Sequence, residues 1–211
     1  MPNKKKFEKV ETMRKILNFL GYYIRTIPIW LVYMGLSLPA MIMFGLGLAD
    51  RLGADPLDRL IAFYGEWGLK LMMVTLMISP LRAWGLDLLK FRRAIGVMGF
   101  VYITLHLIMW LAFDQLLNME SIITEIIKRP FITFGMLGFL LMVPMAITSN
   151  QKMLKKLGFK KWKRLHRLNY GLAVIAIVHY LMVVKGWQIE PMMYGVVVML
   201  LLLWRLRQRR G

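Results

Sequence analysis

Three histidines, His106, His166 and His179, are the strongest candidate ligands in this sequence, because it contains no cysteine. Thiolate metal sites, iron–sulfur clusters, disulfides and cysteine nucleophiles are thereby excluded. All three histidines lie in or at the mouth of a long apolar stretch. An ionisable residue at membrane depth is a functional candidate, the bland alternative being a hydrogen bond to a neighbouring helix. Measured from the ends that the charge pattern places on one side of the membrane, His106 lies about 18 Å and His179 about 17 Å along their helices. Two imidazoles at matched height on different helices are what a haem wedged between helices requires of its axial ligands. The spacing therefore predicts a bis-histidine haem on His106 and His179.

His166 lies about 20 Å further down the second of these helices, at the rise of an α-helix. It could ligate a second, inner haem. The matching position on the other helix falls near Arg93, and arginine is no ordinary haem ligand, so the sixth ligand would be a methionine such as Met98, or water. The alternative is that His166 caps the span at headgroup level. Nothing else offers comparable chemistry: no nucleophile with its base, phosphate-cradling loop or dinucleotide fingerprint is present. The 19 methionines read as flexible packing between helices. Glu66 and Lys70, one helical turn apart, read as an interfacial ion pair.

The elements that must position the histidines follow from composition. Hydrophobic residues make up 58% of 211 positions and the mean hydropathy is +0.55, too apolar for a soluble globule. Six stretches are long enough to cross a hydrocarbon core: 28–49, 60–81, 94–113, 131–148, 168–184 and 187–204. The expected fold is all-α, a polytopic bundle of six transmembrane helices. A basic segment (1–27) precedes the six-helix haem-binding domain (28–204), and a short basic tail (205–211) follows.

Most of the 29 basic residues fall before the first stretch, between the second and third, between the fourth and fifth, and after the sixth. Lysine and arginine are retained on the cytoplasmic side, so both termini are expected there. This placement assigns the net charge of +18 to anionic lipid headgroups and argues against a nucleic-acid partner.

Several segments resemble one family: ISPLR (78–82), RRAIG (92–96), LHL (105–107), RPFITFG (129–135), AITSNQKMLKKLGFKKWKRLHRLNY (146–170) and IVHYL (177–181). They are similar to the MsrQ (YedZ) family, within the ferric-reductase-like transmembrane domains, over roughly residues 53–185. GEWGLK (65–70) is similar to a family segment but departs from it in detail, so no role is carried onto Glu66. The resemblance implies haem b held by His106, His166 and His179. It also implies electrons drawn from the quinone pool, an association with FMN, and a periplasmic molybdopterin partner, MsrP, that reduces methionine sulfoxide in proteins. On this reading the chain is an electron-transfer subunit in a bacterial inner membrane, and the catalytic subunit is a separate protein. With few residues after Trp204, no cytoplasmic flavin domain is expected, so the donor would be a membrane quinol or a soluble flavoprotein. The competing readings are a transmembrane reductase acting directly on a metal ion, and a non-redox membrane protein whose histidines are structural.

Overall fold

The structure is a computed structural model that describes residues 26–184 and 188–210, with Glu8, Glu11, Thr12, Lys15, Phe19 and residues 21–24. The rest of the expected basic segment, and Lys185, Trp187 and Gly211, lie outside the described residues. From residue 29 onward the chain folds into α1 (Ile29–Leu48), α2 (Pro56–Ala83), α3 (Arg92–Ile108), α4 (Met119–Lys128), α5 (Pro130–Ile147), α6 (Gln151–Leu157), α7 (Phe159–Leu165), α8 (Leu168–Val183) and α9 (Ile189–Arg210). A 3-10 turn (Leu89–Phe91) leads into α3. A π-helical segment (Met109–Asp114) extends it just beyond His106. No strand occurs among the described residues.

Among the described residues, five helices are long and apolar enough to cross a membrane: α1, α2, α3 with its flanking turns, α5 and α9. The chain is thus an all-α, multi-pass membrane protein. α8, with 16 residues, is shorter than these five. Most helix ends match the expected apolar stretches closely, because each run gives way to proline, polar or charged residues. Pro56 and Pro130 open α2 and α5 in the first turn, where a missing N–H costs nothing. α9 runs on through the basic residues that follow Trp204, as far as Arg210.

α2 is the central helix. One face packs with α1 and α3 through Leu60, Tyr64, Leu71, Met98 and Tyr102. The other packs with α5, α8 and α9 through Leu69, Met72, Met73, Leu76, Met145, Leu172 and Val198. Small residues allow the closest approach: a methyl group at Gly68 would come within 2.3 Å of Ile103 Cδ1 on α3. Glycines of this kind let membrane helices gain dispersion energy where no hydrophobic force drives them together. α1 is tied on by two buried tyrosines. Tyr64 OH donates to Ala40 O at 3.1 Å and Tyr102 OH to Leu36 O at 2.8 Å.

Candidate functional site

α2 and α3 form one closely packed pair, α5 and α8 another, and the two pairs meet across α3 and α5, where Phe100 and Phe139 stack with centroids 5.7 Å apart. His106 sits near the C-terminal end of α3 and His179 near that of α8. Both rings are partly buried and meet edge to face, with centroids 6.3 Å apart and planes at 89°.

Each ring is anchored in the same way. His106 Nδ1–H donates to the Ile61 carbonyl at 2.8 Å, and His179 Nδ1–H donates to the Phe131 carbonyl at 2.6 Å. A carbonyl can only accept, so the proton of each neutral ring is on Nδ1 and the lone pair is on Nε2. One turn beyond each carbonyl stands a glycine that makes room for the ring. A methyl at Gly65 would lie 3.0 Å from His106 Nδ1, and one at Gly135 would lie 2.9 Å from His179 Cε1.

The separation fits a single metal held between two imidazoles. Two metal–nitrogen bonds of about 2 Å, with about 1.1 Å from each nitrogen to its ring centroid, span about 6.2 Å. Among the described residues no group of three or more metal-ligating side chains occurs. Two imidazoles are thus the side-chain ligands this position would offer to a metal, a set that a haem iron can use.

His166 is not part of this pair. It follows α7 at the opposite end of the bundle, where its ring stacks on Trp162 at 4.0 Å and its Nε2 lies 3.1 Å from Thr148 Oγ1. Trp162 Nε1 donates to the Thr148 carbonyl at 3.0 Å, closing this small polar cluster. Burial, together with repulsion from Arg92 and Arg93, holds His166 below the ordinary histidine pKa. No second histidine faces it, and Met98 is buried in the α1–α2–α3 core.

The Glu66–Lys70 pair forms as expected, at 2.9 Å on α2. The sequence reading did not assign Gly65, Gly135 or the Ile61 and Phe131 carbonyls. The two glycines stand inside GEWGLK and RPFITFG, but only the fold shows which ring occupies the space each one leaves.

A family model described as ferric reductase like transmembrane component matches residues 64–177. The matched stretch takes in most of both helix pairs, with His106 and His166, and stops just before His179. The chain is also 43% identical over 179 residues to proteins from Brucella ovis, Brucella canis and Brucella abortus, each named protein-methionine-sulfoxide reductase heme-binding subunit MsrQ. The alignment covers 84% of this chain and 81% of each relative. The chain belongs to the MsrQ family of ferric-reductase-like transmembrane proteins. No solved structure matches it.

Proposed function

We propose that this protein is the haem-bearing electron-transfer subunit of a methionine sulfoxide reductase system in a bacterial inner membrane. Haem b is held between His106 on α3 and His179 on α8, and electrons pass from it to an MsrP-like molybdopterin reductase in the periplasm. The donor is the quinone pool or a flavin carrier, and any FMN belongs with that donor step. The observation that carries this reading is the pair of opposed imidazoles, each with Nδ1 committed to a carbonyl and Nε2 free.

Bound there, haem supplies a one-electron carrier at membrane depth. The residues of this chain fix its place. The Ile61 and Phe131 carbonyls set the ring tautomers and raise the basicity of each Nε2. Gly65 and Gly135 admit the rings, and the apolar flanks of α3 and α5 keep water out. His166 is the position for a second haem, whose other axial ligand would not be a histidine.

The topology proposed is six spans with both termini in the cytoplasm. α8 is the sixth span: it carries His179 and packs along α5 and α9. Only an even number of spans leaves Arg205 and Arg207 on the same side as the basic residues of α6 and α7, as the distribution of positive charge demands.

A reduced-minus-oxidised spectrum with a pyridine haemochrome count tests haem binding and haem number together. His106→Ala and His179→Ala are each expected to abolish the same low-spin haem signal, and His166→Ala to spare it. Wild-type spectra in all three variants would make the histidines structural. A count of one haem in the wild type would remove the inner site.

A further inference from the structure

At the end of the bundle opposite the paired imidazoles, Arg92 and Arg205 have no carboxylate partner among the described residues. Arg205, near the C-terminal end of α9, reaches inward: its Nη2 donates to Ser79 Oγ on α2, and its guanidinium lies over the Tyr170 ring of α8 at 5.7 Å. Its Nε is buried and has no hydrogen-bond partner. Arg92, the first residue of α3, is half-buried and close enough to repel Arg205. It makes no ion pair and no hydrogen bond with any described residue. Arg92 also acts electrostatically on His166.

A snorkelling arginine would carry its guanidinium outward to the headgroups. Arg205 does the reverse, turning one nitrogen to Ser79 and sealing another inside. Guanidinium does not release its proton in proteins, so two such groups brought together where both are partly buried favour a negative partner. Their planar forks suit a carboxylate or a phosphate.

We infer that Arg92 and Arg205 form an oxyanion-binding site where α2, α3, α8 and α9 converge. The anionic group is a carboxylate or phosphate. Two sources offer that chemistry: the propionates of a haem seated on His166, which rests on the reading of His166 given above, and the phosphate of an anionic phospholipid, which does not.

The test uses the full-length protein in nanodiscs of phosphatidylcholine with or without phosphatidylglycerol, comparing wild type with Arg92→Gln, Arg205→Gln and the exposed control Arg207→Gln. With haem as the source, the first two variants lower the haem-to-protein ratio by about half and leave the His106–His179 spectrum intact. With phospholipid as the source, the ratio is unchanged, and the rise in Tm that phosphatidylglycerol gives the wild type is lost in both. Arg207→Gln changes neither quantity. Where a glutamine variant does not fold, Arg205→Lys, which keeps the charge and loses the fork, is expected to weaken the same readout. An unchanged haem ratio together with an unchanged lipid-dependent Tm in the folded arginine variants overturns the inference.

Discussion

At His106 and His179 a ring nitrogen is held by the carbonyl of a residue one turn before a glycine on the partner helix, Ile61 before Gly65 and Phe131 before Gly135. The repetition has a physical reason. A helix carbonyl already accepts from the N–H four residues on, and a second donor reaches it only where no side chain stands in the way. Gly65→Ala or Gly135→Ala would put a methyl within about 3 Å of the ring, which must then move off its carbonyl. Overpacking of this kind costs about 1–3 kcal/mol, and the same energy weakens haem retention by about 5- to 150-fold. Titrating haem into apoprotein and following the low-spin band measures it. Helical content by circular dichroism should not fall, since alanine favours the helix by about 1 kcal/mol over glycine. Unchanged affinity in both variants would show that the glycines only pack helices. The histidines were legible because their type and depth are visible in a linear sequence. The glycines were not, since a missing side chain gains meaning only when a ring from a distant helix fills its place.

The apolar helices were legible almost to their ends, whereas α4, α6 and α7 were not, because short amphipathic segments carry no long hydrophobic run. α4 starts with Asn118 accepting from Ser121 N–H and closes with Arg129 paired to Glu125 at 2.6 Å, a cap and an ion pair that local sequence alone does not separate from loop. α1 stands apart in another sense, since it precedes the stretch matched to the ferric-reductase-like family. Its polar attachments are the hydroxyls of Tyr64 and Tyr102, both fully buried. Each of these hydrogen bonds is expected to contribute about 0.5–1.5 kcal/mol. Tyr64→Phe and Tyr102→Phe should each lower the unfolding free energy by about that amount, and the double variant by roughly the sum. The low-spin haem signal should survive, since neither hydroxyl touches a histidine ring. Chemical denaturation in mild detergent, followed by tryptophan fluorescence and by the haem band, separates the two effects. Loss of the haem band before the fluorescence change would show that α1 braces the site and is not merely tethered to it.

Across the whole molecule the two ends differ in charge, and the difference bears on direction. Lys152, Lys155, Lys156, Lys160, Lys161, Lys163, Arg164 and Arg167 crowd the end near His166. The end near His106 and His179 exposes Asp50, Asp55, Asp58, Asp114 and Glu120, while Glu125 is already paired with Arg129. Reporter fusions should place Lys160 in the cytoplasm and Asp55 and Glu120 outside, and an external Lys160 would invert the proposed path. From His106 to the end of the π-helical extension of α3 is about 12 Å at the helical rise, so a haem at this height lies under the outer loops and within reach of a docked partner. Exposed carboxylates there steer a basic patch on that partner, and such steering fades as salt shortens the Debye length. Membranes carrying this protein should therefore support quinol- or flavin-driven reduction of a purified MsrP-like enzyme added outside, roughly tenfold faster at low than at high ionic strength. Replacing Asp55, Asp58 and Glu120 together by their amides should flatten the salt dependence and leave the haem spectrum as it was. His179→Ala should stop the transfer at any salt. Equal rates in that variant would mean that electrons bypass the paired imidazoles, and the path drawn through them would have to be abandoned.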